Sequence, residues 1–77
     1  HHEVEALLGS ELLELSRRER EVLTGRYGLY NSEAETLEAL ADRLGLTRER
    51  VRQIQQEALA KLRRLMARRG VDRDSVF

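Results

Sequence analysis

The sequence contains no cysteine. No disulfide can staple it, and no thiolate is on hand as metal ligand or nucleophile. That absence fits a reducing compartment, and a cytoplasmic location is expected. No apolar run approaches the length needed to cross a bilayer, and no stretch has the pattern of a signal peptide, so no membrane partner is expected. Histidine is confined to His1 and His2, which read as a purification-tag remnant and are set aside from metal or catalytic argument. The carboxylates are scattered over helix-prone segments, with neither a glycine-rich phosphate loop nor paired metal ligands. An enzyme is therefore not expected, and neither is a cofactor. Low-complexity stretches, internal repeats and strand-like alternation are missing as well, which leaves an all-α chain.

What is present is one small domain, residues 3–77 of a 77-residue chain, with room for only a modest core. A net stability of a few kcal/mol is expected at this size. The formal net charge is zero, but it is unevenly spread. Residues 1–42 carry ten acidic side chains against four basic ones, a balance of −6. Residues 43–69 carry nine basic against two acidic, a balance of +7. A basic half of this kind suits a polyanion, while the acidic half should weaken non-specific binding, so a second anchor is expected.

Along the chain, residues 3–14 are helix-prone but interrupted at Gly9 and Ser10, which suggests a short helix or two turns with a break. Ser16 and Glu19 form a capping box that opens a helix with Val22, Leu23 and Tyr27 facing the core and Gly28 as its stop. A polar loop at 31–35 follows, and Thr36 caps the next helix. Gly70 ends the last helix, and the tail 71–77 is expected to pack back against it.

The most informative stretch is 37–56, LEALADRLGLTRERVRQIQQ. Leu37, Leu40, Ala41 and Leu44 share one face of a short helix. Gly45 supplies a left-handed turn, Leu46 plugs back into the core, and Thr47 caps a helix running from about 48 to 69. Val51, Ile54, Ala58, Leu62 and Leu65 form the apolar stripe of that helix. The expected architecture is four to five helices containing a helix-turn-helix. At about 100° per residue, Glu49, Gln53 and Gln56 lie opposite the apolar stripe with Arg52 beside them, and Arg48 and Arg50 lie on the flanks near the helix start. Glutamine, arginine and glutamate can pair with adenine, guanine and cytosine edges, while flanking arginines reach phosphates.

The segments LSRREREVLTGRYGL and TLEALADRLGLTRERVRQIQQEALAKL resemble the C-terminal promoter-binding domain, region 4, of bacterial primary and stress-type sigma factors. The run Gln55-Gln56-Glu57 and the tail VDRDSVF look most like the stationary-phase general-stress type. The resemblance implies recognition of the minus-35 promoter element in double-stranded DNA, and docking on the β-subunit flap of RNA polymerase core. It implies base contacts from Arg48, Glu49 and Gln53. Phosphate contacts are expected from Arg50, Arg52, Thr36 and Thr47, with Gln56 as an additional DNA contact. It implies a flap groove for which Leu12, Leu15, Val22, Leu23 and Leu29 are the candidates, each of which could equally fill the core. The housekeeping type has basic residues where Glu57 and Ala60 stand, so Lys61 and Arg63 are the activator-facing candidates here. Activators and anti-sigma proteins are expected as further partners of a domain that is monomeric when isolated.

Two other readings share these residues. An independent regulator or response-regulator output domain would use the same motif as a dimer, with residues 59–69 as the only candidate dimer helix. A pure protein-interaction module would bind no DNA in the assembled polymerase.

Overall fold

Ser16 opens the first α-helix by both halves of a capping box. Its Oγ accepts from the Glu19 backbone N–H, and its own N–H donates to Glu19 Oε1 at 2.8 Å. In the computed structural model, which describes residues 9–69, this helix is α1 (Arg17–Tyr27), followed by α2 (Leu37–Leu44) and α3 (Arg48–Arg69). A 3-10 segment, Gly9–Glu14, precedes them. The described residues thus hold three α-helices and one 3-10 segment, and no strand. The lower end of the expected helix count is reached only with the 3-10 segment included. Gly9 and Ser10 are the first two residues of that segment. The expectations for residues 3–8 and for the 71–77 tail lie outside the described residues.

Both interhelical stops use glycine in the left-handed region. Gly28 ends α1 at φ 63°, and Leu29 donates back to the Thr24 carbonyl at 3.2 Å. Gly45 ends α2 at φ 70°, with Leu46 N–H on the Ala41 carbonyl at 2.9 Å. These six-to-one bonds satisfy carbonyls that a helix end leaves open, and in the second case they swing Leu46 onto the core. Between the helices the chain passes through two more left-handed residues, Tyr30 and Asn31. Asparagine tolerates that conformation, whereas tyrosine adopts it at a cost.

The core has two parts, and α3 runs through both. Val51 and Ile54 join Val22, Leu40 and Ala41, with Leu37, Leu44 and Leu46 packed at the edge. Ala58, Leu62 and Met66 join Leu12, Leu15 and Leu23. The first half of α3 is therefore held by α2 and by Val22 of α1, and the second by Leu23 of α1 and the segment around Leu12 and Leu15. At about 1.5 Å per residue α3 is a rod of about 33 Å, buried along one stripe over its length. Tyr27, expected inward, is 39% exposed: it is the last residue of α1, and its ring lies at the surface with its hydroxyl accepting from Gln55 Nε2 of α3 at 3.4 Å.

Glu19 ties the N-terminus of α1 to α3. Besides its capping bonds it accepts from Lys61 Nζ at 2.9 Å. Burial pushes its carboxyl pKa up, but the Lys61 ammonium and the Ser16 N–H outweigh this and hold it below the ordinary glutamate value. A carboxyl lowered by folding stabilises the fold above its unfolded pKa, and the contribution is lost as pH falls through the folded one. Glu19→Gln should therefore lower the melting temperature at about pH 6, and the gap to the parent should narrow as the pH falls below the ordinary glutamate range of about 4.3. Thermal denaturation at a series of pH values checks this; a gap that stays constant into acid would mean that the charge is irrelevant.

Candidate nucleic-acid interface

Thr47 begins α3, its Oγ1 accepting from the Arg50 backbone N–H at 3.1 Å. Thr36 does the same for α2 through the Ala39 N–H, also at 3.1 Å. With the cap and Gly45 set, the register of α3 is fixed: Val51 and Ile54 are buried, and Arg48, Glu49, Arg50, Arg52, Gln53 and Gln56 are all exposed. The structure thus brings together all the expected reading side chains on the outer side of one helix. Leu37, Thr47, Arg48, Glu49 and Arg52 line a shallow depression where α2 meets the start of α3. Both threonine oxygens are used as caps, and their hydroxyl protons remain donors.

An expected base reader, Glu49, and an expected phosphate contact, Arg52, are bonded to each other. Arg52 Nε donates to Glu49 Oε2 at 3.0 Å, and Arg52 Nη2 donates to Oε1 of the same carboxylate. The guanidinium hydrogen bond holds the Glu49 carboxyl below its usual range and raises Arg52 in turn.

The elements behind α3 are locked by residues that periodicity does not single out. Glu35, the last loop residue before the Thr36 cap, donates its N–H to the Gly25 carbonyl at 2.7 Å and accepts from Arg26 Nη1 at its own carbonyl. Its carboxylate takes a fork from Arg43, at 3.0 Å from Nε and 2.7 Å from Nη2. That pairing lowers the Glu35 pKa and raises that of Arg43. Arg26 also donates from Nε to Gln55 Oε1 at 3.3 Å, linking α1 to α3. The only sequence signal for Arg26 was a basic residue in the last turn of a helix, which helix ends favour in general. Gly25 also leaves room for this fork: a Cβ there would lie 2.8 Å from Glu35 Oε1 and 2.9 Å from Leu40 Cδ1, so those side-chain ends would have to shift.

The five groove candidates are interior residues. Leu12, Leu15, Leu23 and Leu29 are at most 4% exposed and Val22 not at all, so they could floor a groove but do not line an open one. Leu13, beside them on the 3-10 segment, is 73% exposed. Of the activator-facing candidates, Lys61 is engaged with Glu19 and Arg63 is exposed. Among the described residues no group of three or more His, Cys, Asp or Glu side chains could hold a metal ion. No described helix is long and apolar enough to cross a membrane.

The sequence matches the family described as Sigma-70, region 4 over residues 12–64. It is 49% identical over 65 residues to the RNA polymerase sigma factor RpoS of Coxiella burnetii, covering 84% of this chain and 18% of that protein. It is 48% identical over 60 residues to the RNA polymerase principal sigma factor HrdC of Streptomyces coelicolor, covering 73% of this chain and 18% of the relative. Against the RNA polymerase sigma factor SigA1 of Synechococcus elongatus it is 53% identical over 49 residues, covering 64% of this chain and 12% of the relative. The chain therefore spans less than a fifth of the length of these relatives. With a helix-turn-helix built as described and a family match over most of its length, this chain belongs to the sigma-70 region 4 family.

Proposed function

We propose that residues 3–77 form the domain by which a bacterial sigma factor reads the minus-35 promoter element, and that His1 and His2 are a tag remnant outside it. The observation that carries this reading is the outer face of α3, where six polar side chains stand exposed over a buried stripe. A helix of about 10–12 Å diameter fits the major groove of B-DNA, about 12 Å wide. In that groove Arg48, Glu49 and Gln53 meet base edges, with Gln56 one turn further on. Arg50 holds a phosphate from the flank, and Thr36 and Thr47 donate hydroxyl protons to phosphates at the two helix starts.

The zero net charge asks for help from a second contact. RNA polymerase core supplies it through the β flap, seated over the Leu12, Leu15 and Leu23 floor beside exposed Leu13. Activators meet the basic second half of α3 at Lys61 and Arg63, and anti-sigma proteins are further partners. The domain works as a monomer in the cytoplasm and performs no catalysis. The general-stress type is read from the run Gln55-Gln56-Glu57 and the tail sequence VDRDSVF.

Fluorescence anisotropy tests this with a duplex carrying a minus-35 hexamer against a scrambled control, with and without a β-flap fragment, at two salt concentrations. The hexamer should be preferred, and the flap fragment should strengthen the preference. Arg48→Ala and Gln53→Ala should each lose about 1–3 kcal/mol of discrimination at one base pair. Arg50→Ala should weaken all sequences alike and reduce the salt slope by about one. Equal losses on every sequence from the Arg48 and Gln53 variants would remove their base-reading roles.

A further inference from the structure

Arg52 was expected on a phosphate, but its bonding within the protein points elsewhere. The guanidinium grips both oxygens of Glu49 from one helical turn away, using Nε and Nη2. The fork takes the Nε–H and one Nη2–H, so this edge of the guanidinium is committed to Glu49 and only the outer Nη1–Nη2 edge is left for another partner. Both side chains remain open to solvent, with 45% of Arg52 and 61% of Glu49 exposed, at the depression that Leu37 and Thr47 close from behind. The pair is therefore presented outward as a unit.

Resting on the minus-35 reading above, we propose that Arg52 is a positioning residue for base choice: it holds the Glu49 carboxylate in the plane needed to accept a hydrogen bond from a base amine in the major groove. Three physical points lead there. A lone carboxylate entering a groove walled by phosphates is repelled by them, and a guanidinium on both its oxygens cancels that charge locally. A carboxylate has about four lone-pair sites. The fork takes one on each oxygen, and the remaining ones can accept from the cytosine amine, the base group that pairs with glutamate. The planar fork also fixes the carboxylate before DNA arrives, so less side-chain freedom is lost on binding. Lysine, a point charge without the fork, could supply the first of these effects but not the third.

The test uses the 77-residue chain as it is, by anisotropy with the minus-35 duplex and a set of duplexes changed at one base pair each, at two salt concentrations. The proteins are the parent, Glu49→Ala, Arg52→Ala, Arg52→Lys, the Glu49→Ala/Arg52→Ala double variant, and Gln53→Ala as reference. Arg52→Ala should flatten the preference at the same base pair as Glu49→Ala, by about tenfold each. The double variant should be no worse at that position than either single one, since two residues acting through one contact are not additive. Arg52→Lys should keep the salt slope and still lose the preference. The proposal is overturned if Arg52→Ala weakens every duplex equally and lowers the salt slope by about one, the behaviour of a phosphate clamp. It is overturned equally if Glu49→Ala leaves all base preferences intact while Gln53→Ala removes one. A parent chain without any hexamer preference would instead remove the underlying reading, and Gln53→Ala would then match the parent.

Discussion

Leu62→Ala should cost about 2–5 kcal/mol, enough to consume most of the stability of a domain this small. Leu62 is fully buried where α3 meets Leu12, Leu15 and Leu23, with Ala58 and Met66 in the same cluster from α3 itself. The substitution removes three carbons from a cluster fed by three separate elements, and none of them can close the gap without moving another. Alanine is the better helix former, which returns only a fraction of a kcal/mol. Urea denaturation followed by helical circular dichroism measures the loss. A matching drop in promoter binding is expected, because the stripe that holds the second half of α3 also steadies its reading end. Leu13→Ala is the control: at 73% exposure it should change stability by less than about 0.5 kcal/mol. A Leu62 variant within that same range would mean that the two halves of the core are not mechanically joined through α3.

The local grammar of this fold is legible in the residues. The capping box at Ser16 and Glu19, the Thr36 and Thr47 caps and the stops at Gly28 and Gly45 all stand where they are read. The reason is that each depends on contacts within five residues of chain. The inner stripe of α3 is also as read, since the helical period alone decides which side faces a neighbour. Met66, four residues beyond Leu62 and fully buried, completes that stripe beyond the residues assigned to it from the sequence. What local rules do not reach is the choice of tertiary partner. Lys61 finds Glu19, Arg26 finds Gln55 and the Glu35 carbonyl, and Arg43 finds Glu35. Each basic residue could have been a solvated or ligand-facing charge on sequence grounds. The outcome depends on how α1, α2 and the loop at 31–36 lie against α3. The Glu49–Arg52 pair is a different case: three residues apart on one helix, it was open to inference from spacing, and the reading of both as separate DNA contacts obscured it.

Gly28→Val should destabilise by about 2–5 kcal/mol, from a strained left-handed backbone and from crowding together. The two contributions can be separated because the chain holds two glycines in nearly the same conformation. At Gly45, φ 70°, an added Cβ would have nothing within 4 Å, so Gly45→Ala should show the backbone cost alone, about 1–2 kcal/mol. At Gly28, φ 63°, the Cβ would fall 2.9 Å from the Ala34 backbone nitrogen and 2.9 Å from the Ser32 carbonyl oxygen. Both neighbours are main chain, so no rotamer change relieves the clash, and valine adds branching where no side chain fits. The loop would have to shift, and it is the loop that sets Glu35 and the Thr36 cap, hence α2 and the start of α3. Loss of stability should therefore come with weakened hexamer preference beyond what the folded fraction explains. Gly28→Ala, Gly28→Val and Gly45→Ala in one denaturation series would decide it. The expected order is Gly45→Ala mildest and Gly28→Val worst; equal costs at the two sites for alanine would show that the loop at 31–36 yields freely and does not brace the reading helix.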